Sequence, residues 1–354
     1  MAGSLDFRRA ILTIAEVATP YRFLRLSQCL TLVLVLAAAA HAACGGGSSP
    51  QPTPTPSPTP QPSPQPAEWT IDGQIVEYGT GRGVSGGQMT ADITGTVSVE
   101  GNGTFKISST ASPAVFHVRI DAPGFVTRET YVRGAAGART NLVISVIRNA
   151  APFSLDFYRE LVRNSAEGDV LEPLTRWTAR PNIYLRTVDQ NGKAIEPEVL
   201  DSVTQSLLKG VVDWSSGTLS VATFEKGPAT RERTNGWIVV NILRDRNAPY
   251  CGQSYVGVPD GQIELWDDRC SCGSKKIGGA LVSHEVGHAM GFWHVTDKKA
   301  IMAPVGDNCP TGVLTDDEKY HAKLAYDRTP GNVDRDVDPE AASLSMSRGR
   351  LVSN

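Results

Sequence analysis

The chain has 354 residues, 40% of them hydrophobic, and its 34 basic and 37 acidic residues give a formal net charge of −3. This balance lacks the basic excess typical of proteins that bind nucleic acids, so we expect no nucleic-acid partner. The length and the hydrophobic content allow more than one domain with a buried core.

Residues 1–43 are typical of a signal peptide. Several arginines precede the uncharged run Leu30–Ala40, which is too short to cross a bilayer as a stable helix. These arginines are Arg8, Arg9, Arg22 and Arg25. We therefore expect an exported protein.

Cys44 follows two alanines and precedes the sequence Gly-Gly-Gly-Ser-Ser. This arrangement resembles the cleavage and lipidation site of bacterial lipoproteins, which implies a lipid attached to Cys44. His41 stands where that pattern has leucine or a similar apolar residue, so ordinary signal-peptidase cleavage after Ala40 or Ala42 is the alternative. We expect either a lipoprotein of the cell envelope, which contacts the membrane only through its lipid, or a secreted extracellular protein.

Residues 44–66 comprise the lipid-attachment site and a proline-rich linker. Every second residue from Pro50 to Pro66 is proline, separated by Gln, Thr and Ser. Such a sequence favours extended polyproline II, which rises about 3.1 Å per residue and acts as a stiff spacer. The alternative is a ligand for proline-binding modules.

Residues 67–149 predict a small all-β sandwich, because short runs with β-branched or alternating residues are separated by turn signals. The expected strands are Thr70–Val76, Gly95–Val99, Thr104–Ser108, Val115–Ile120, Glu129–Arg133 and Asn141–Ile147. His117 lies inside one of them, and we interpret it as structural.

Three short motifs in this region resemble the carboxypeptidase-regulatory-like, transthyretin-like domain. They are Gly73-Gln74-Ile75, Gly103-Thr104-Phe105 and Ala122-Pro123-Gly124-Phe125. The resemblance implies a β-sandwich but no particular ligand, since a fold alone does not define a function. The domain is either a spacer or a module that binds a partner.

Residues 150–330 predict an α+β domain, and 331–354 have little periodicity and are expected to form a loose tail. The expected helices are Phe153–Val162, Pro197–Trp214, Lys276–Met290 and Asp316–Asp327, the last with Thr315 as its N-cap. The expected strands are Ile183–Thr187, Leu219–Phe224, Trp237–Leu243, Tyr255–Val258 and Gln262–Trp266. Tyr320 and His321 are interpreted as packing or surface residues.

Residues 284–294 read His-Glu-Val-Gly-His-Ala-Met-Gly-Phe-Trp-His. His284 and His288 are four residues apart, so a helix places both on one face, where they can bind one metal ion. Gly291 can end the helix in the left-handed conformation and turn the chain, which lets His294 return to the same ion. Three imidazoles with one open position are typical of a catalytic zinc site.

This stretch fits the pattern His-Glu-x-x-His-x-x-Gly-x-x-His and therefore resembles the metzincin zinc peptidases. Met302, in Ile301-Met302-Ala303-Pro304, corresponds to the methionine of the tight turn beneath the metal in that family. The Met-Ala-Pro sequence is most similar to the matrixins; astacins have a tyrosine where Pro304 stands. The resemblance implies a mixed, mostly parallel twisted sheet in which an edge strand pairs with an extended substrate.

The resemblance implies an exported zinc endopeptidase that cleaves a protein or peptide substrate. His284, His288 and His294 would bind one Zn²⁺, and Glu285 would be the general base and then the general acid. Met302 would be a packing residue and no ligand. We expect a monomer, and no loop in the sequence demands Ca²⁺. The alternative is a non-enzymatic surface protein that binds a partner and retains a relic zinc site.

Four cysteines lie in the region of the metal motif: Cys251, Cys270, Cys272 and Cys309. An even number in an exported chain suggests two disulfides, with three connectivities open. We favour two pairs, Cys251 with Cys270 and Cys272 with Cys309.

Overall fold

The structure is a computed structural model that describes residues 68–110, 115–134, 139–245, 247–266, 277–304, 312–340 and 351–353. The signal peptide, Cys44, the proline-rich linker and Cys270, Cys272 and Cys309 lie outside the described residues. All described residues belong to one compact unit. None of the helices in the described ranges has the length and apolar character needed to cross a membrane.

Seven strands at the start of this unit form two sheets that share one hydrophobic core. The strands are β1 (Trp69–Glu77), β2 (Gln88–Ala91), β3 (Gly95–Val97), β4 (Thr104–Ser109), β5 (Val115–Asp121), β6 (Arg128–Arg133) and β7 (Arg139–Val146). One sheet has the order β4-β1-β7 and the other β3-β2-β5-β6. Alternation explains the packing: Phe116, Val118 and Ile120 of β5 point into the core, and Trp69 of β1 stacks on Phe116.

The six strands predicted here are present, with ends shifted by at most two residues, and β2 was missed. Gln88-Met89-Thr90-Ala91 lacks the β-branched run that predicts a strand, and its pairing with β3 and β5 forms it instead. His117 is half-buried, with Nε2 3.2 Å from a carboxylate oxygen of Glu129, which agrees with a structural role.

A six-stranded mixed sheet forms the second half of the unit. Its strands are β8 (Asn182–Arg186), β9 (Phe224–Gly227), β10 (Trp237–Leu243), β11 (Gly252–Tyr255), β12 (Asp260–Trp266) and β13 (Leu351–Ser353), in the order β13-β11-β12-β10-β8-β9. The four strands β12, β10, β8 and β9 are parallel, whereas β11 is antiparallel to both neighbours. The predicted mixed, mostly parallel sheet is confirmed.

Four helices lie among the described residues: α1 (Leu155–Arg163), α2 (Pro197–Trp214), α3 (Gly279–Met290) and α4 (Asp316–Tyr326). Their ends follow the sequence signals. Ser154 caps α1, Pro197 occupies the first turn of α2, and Thr315 and Glu318 form a capping box on α4. The fold is therefore mixed α/β with several sheets and four helices, as predicted in outline.

Two strands lie elsewhere than predicted. The strand expected at Leu219–Phe224 begins only at Phe224, because the Ser215 hydroxyl bonds the backbone of Leu219 in a turn. The strand expected at Tyr255–Val258 ends at Tyr255. Val256 and Val258 are buried outside the ladder, because Gly257 adopts φ +61° and its N–H donates to the carbonyl of His288.

The prediction of a loose tail is wrong for 331–340. Asn332, Asp336 and Asp338 are at most 5% exposed. Asp336 receives two hydrogen bonds from Arg328 and one from Arg128 of β6, and Asp338 pairs with Arg128 as well. The segment is held by buried ion pairs to Arg328 and to the distant Arg128, which hydrophobic periodicity does not reveal. Leu351–Ser353 is also ordered, as strand β13.

Candidate metal centre

Helix α3 is buried along almost its whole length, from Leu281 to Met290. It approaches α2 closely at Gly210, where an added β-carbon would be 2.9 Å from the side chain of Val286. Buried polar side chains also bond its carbonyl groups: Trp214 Nε1 to Ser283, Trp177 Nε1 to Ala289 and the Tyr326 hydroxyl to Met290, at 2.8, 2.8 and 2.9 Å. These contacts fix the position of the helix that carries the metal motif.

Gly291 ends α3 as the sequence predicts. Its φ is +114°, and its N–H donates to the carbonyls of Gly287 and His288. Space also demands glycine here, because an added β-carbon would be 2.1 Å from the carbonyl oxygen of Thr175. The chain then reverses, and His294 meets the two histidines of the helix.

The Nε2 atoms of His284, His288 and His294 face one another at 3.0, 3.1 and 3.2 Å. Their protonation follows from their outer nitrogens. Nδ1 of His284 lies 2.6 Å from the carbonyl of Ile301, and Nδ1 of His288 lies 2.8 Å from that of Phe292. A carbonyl oxygen only accepts, so each Nδ1 carries the hydrogen and, in the neutral ring, each Nε2 presents a lone pair. Converging lone pairs repel one another unless a cation lies between them.

The charges and spacing of this cluster suit a metal ion. Burial lowers the pKa of His284 to about 3 and holds that of His288 well below its usual range, so both are neutral near pH 7. Nitrogens bound to one zinc ion at about 2.0–2.1 Å in tetrahedral geometry are about 3.3 Å apart, close to the observed separations. The three buried histidines can therefore hold a metal ion. No fourth His, Cys, Asp or Glu among the described residues joins the group.

Glu167 supports His294, the third histidine of the cluster. The sequence did not predict this role of Glu167. Its Oε1 lies 2.5 Å from Nδ1 of His294. A carboxylate on the outer nitrogen fixes the orientation of the ring and makes the inner nitrogen a stronger ligand. Glu167 lies in the segment that follows α1, 127 residues before His294. No local pattern could have connected the two residues.

Glu285 is completely buried, and neither of its carboxylate oxygens forms a hydrogen bond with a described residue. Burial raises the pKa of this carboxyl well above its usual value. A buried polar group without a partner is uncommon and calls for an explanation, such as a catalytic role or a bound ligand. The backbone of Gly252 in β11 lies against this carboxylate.

Met302 packs against α3, and its expected position beneath the metal stays a prediction. Its sulfur is so close to Gly287 that an added β-carbon there would be 2.4 Å from it. The Met302 N–H donates to Oε1 of Glu318, and Oε2 of the same carboxylate accepts from the N–H and hydroxyl of Thr315. The capping box of α4 therefore anchors the turn that contains Met302. Thr315 was predicted as the N-cap, whereas neither role of Glu318 was predicted.

Cys251 is disulfide-bonded, which confirms the expectation for this cysteine. Cys270, Cys272 and Cys309 lie outside the described residues, so the favoured pairing stays a prediction. His321 is buried between α1 and α4, where its Nε2 accepts from the Ser154 N–H at 3.0 Å. It is a packing residue, as expected.

No protein-family model matches the sequence, and no curated protein is significantly similar to it. Among solved structures, the chain resembles the major pilin subunit of Bacillus cereus at 9% identity and a TM-score of 0.19. This likeness covers 22% of the present chain and 28% of the pilin chain. The TM-score is too low to support an inference about fold or function.

Proposed function

We propose that the chain is an exported zinc endopeptidase of the matrixin-like metzincin type. The observation that carries the proposal is the convergence of the Nε2 atoms of three buried histidines beside the helix that also carries Glu285. In this proposal residues 150–330 are the peptidase domain and 67–149 are a transthyretin-like sandwich. The signal peptide, the lipid on Cys44 and the monomeric state remain predictions from sequence.

Zinc is the metal that the ligand set favours. Neutral imidazoles suit zinc, whereas Ca²⁺ takes six to eight oxygen ligands. A structural zinc site is closed by four protein ligands, usually including thiolates, whereas a catalytic site has three and leaves one position for water or substrate. Three histidines without a fourth described ligand therefore support a catalytic site.

The proposed reaction is hydrolysis of a peptide bond. When bound, zinc polarises a carbonyl group and lowers the pKa of a water molecule to about 7. Glu285 accepts the proton of the attacking water and then donates it to the leaving amine. Its lack of a hydrogen-bond partner among the described residues leaves both oxygens available for this transfer. The carboxylate of Glu167 holds His294 in place.

The edge of β11 that pairs with β13 is where a peptide can lie once β13 is displaced. Strand β11 is the antiparallel strand near the end of the sheet, and Gly252 at its start touches Glu285. An extended peptide that pairs with β11 would run past the proposed base, with its backbone fixed by strand hydrogen bonds. This arrangement suits an endopeptidase, because recognition through the backbone does not require a chain end.

The test is zinc content and proteolysis of the purified chain. We expect one zinc per chain by elemental analysis, and cleavage of casein that stops when a chelator is added. Glu285→Gln should keep the zinc and lose the cleavage, and Glu232→Gln, on an exposed loop, is the matched control. Zinc without cleavage under any condition would favour the non-enzymatic binding protein, and absence of zinc would overturn the proposal.

A further inference from the structure

The C-terminal strand β13 pairs with the edge of β11. Leu351, Val352 and Ser353 lie opposite Tyr255, Ser254 and Gln253, in antiparallel register. The other edge of β11 pairs with β12. In the part of the chain that the structure describes, β13 is thus the strand that covers this edge of β11.

Val352 is anchored in an apolar pocket. It is 5% exposed and forms a buried cluster with Val256 and Trp293. Trp293 directly precedes the metal ligand His294, so the pocket adjoins the site. The Trp293 indole N–H is buried and makes no hydrogen bond with any described residue, which leaves a donor free beside the pocket. One apolar side chain inserted beside a metal ligand is the arrangement of a specificity pocket with an occupant.

The direction of β13 relates it to the proposed reaction. The chain runs from opposite Tyr255 to opposite Gln253, and therefore towards Gly252. Gly252 is the residue whose backbone lies against Glu285. A peptide in this direction brings its C-terminal end towards the carboxylate. The segment therefore lies as the residues that precede a cleaved bond would lie.

We propose that Leu351–Ser353 occupies the peptide-binding edge of this chain, so that any extended peptide must displace it. The proposal rests on the proposed function, because it assigns a regulator to the same site. The pocket formed by Val256 and Trp293 then selects peptides with a small, β-branched aliphatic residue at the position of Val352. The segment Leu351–Ser353 is a built-in competitor of the substrate.

The segment Leu351–Ser353 is short, but it competes effectively because it belongs to the same chain as the site. Three paired residues provide little affinity by themselves, but a segment on the same chain acts at an effective concentration in about the millimolar range. A free peptide of equal intrinsic affinity competes only above that concentration. Removing the segment should therefore raise the apparent affinity for the peptide by about tenfold or more.

The experiment uses a fluorescent peptide with the sequence of residues 347–354, Ser-Arg-Gly-Arg-Leu-Val-Ser-Asn, and measures its binding by anisotropy. The proteins are the full chain, a chain that ends at Arg350 and the full-length variant Val352→Asp. Both altered proteins should bind the peptide about tenfold or more tightly than the full chain. The matched control is Val170→Asp, at a side chain that is 76% exposed, and it should bind as the full chain does.

Equal binding to the full and shortened chains, or binding to neither, would overturn the inference. Because binding is read without catalysis, the two proposals fail separately. If the shortened chain binds the peptide but no protein cleaves casein, the docking site stands and the peptidase assignment fails. If the shortened chain cleaves casein at the rate of the full chain, the competitor role is overturned while the peptidase assignment stands.

Discussion

Gly252 of β11 lies directly against Glu285 of α3, so that a β-carbon added to Gly252 would be 2.3 Å from Oε1 and 2.6 Å from Cδ. Neither carboxylate oxygen forms a hydrogen bond with a described residue, so packing rather than hydrogen bonding limits where the carboxylate lies. Glycine at this position therefore provides the space that Glu285 occupies.

Gly252→Ala should displace Glu285 and retain the metal. A misplacement of about 1 Å in a catalytic group can lower the rate by about 100-fold. We expect kcat/KM for a fluorogenic peptide to fall by about that factor, with zinc content unchanged. Gly101→Ala is the control, because nothing lies within 4 Å of an added β-carbon there. Wild-type activity of Gly252→Ala would show that the contact does not position the carboxylate.

Glu167→Gln should weaken zinc binding. Loss of an outer carboxylate partner typically costs about 10–100-fold in metal affinity. The Glu167 side chain is 37% exposed, so we expect the lower end of that range. Competition with a chromophoric chelator measures the affinity, and the exposed neighbour Asp169→Asn serves as the comparison. An unchanged zinc affinity would contradict the assigned role of Glu167.

The sequence predicted the three-histidine cluster because its geometry is local. The four-residue spacing of His284 and His288 and the turn at Gly291 follow from helix geometry and glycine conformation, without reference to the rest of the fold. Glu167 reaches His294 only through the tertiary course of the chain, so it has no sequence signal. The pattern Thr315-x-x-Glu318 is typical of a capping box. It does not predict the hydrogen bond from the Met302 N–H to Glu318.

Prediction of the fold was limited in the same way, because contacts between distant parts of the chain leave no local pattern. Strands with one buried face, such as β5, were predicted from alternation, and Val256 and Val258 were misplaced because alternation does not show whether a buried residue pairs in a ladder. The segment at 331–340 was predicted to be loose because its sequence has little periodicity. Its partner Arg128 lies 208 residues from Asp336, and a buried ion pair at that separation leaves no periodic pattern.

Glu318→Ala should destabilise the chain. The change removes the capping box of α4 and leaves the buried Met302 N–H without its acceptor. An unpaired buried donor costs about 1–3 kcal/mol, and the lost cap adds to it. We expect a lower urea midpoint and weaker zinc binding, because the turn beneath the ligands loosens. Asp317→Ala, an exposed acid in the same helical turn, should change the free energy of unfolding by less than about 1 kcal/mol.

Asp336→Ala should be among the most destabilising single changes. It leaves the guanidinium groups of Arg328 and Arg128 buried without the carboxylate that bonds both. Removing one partner of a buried ion pair costs about 3–5 kcal/mol. Urea unfolding followed by tryptophan fluorescence measures the loss. Asp201→Ala removes an exposed pair with Lys226 and should cost about 0–1 kcal/mol. Equal effects of the two changes would show that the segment around Asp336 adds little to stability.

Glu77 should make the fold sensitive to acid. Arg148 donates two hydrogen bonds to its carboxylate, at 2.6 and 3.1 Å, and Arg82 lies 3.2 Å away. The Arg148 guanidinium is the main cause that lowers the pKa of Glu77 from its usual 4.5 to about 2. Because the folded pKa is below the unfolded one, the stabilisation is present above pH 4.5 and is lost as pH falls towards 2.

The test compares urea midpoints of the wild type and Glu77→Gln across this pH range. The wild type should lose stability more steeply than the variant as pH falls, because glutamine binds no proton. Arg148→Met should flatten the wild-type slope in the same way, since it removes the partner that depresses the pKa of Glu77. Parallel slopes for all three proteins would mean that the pair between Glu77 and Arg148 does not couple folding to pH.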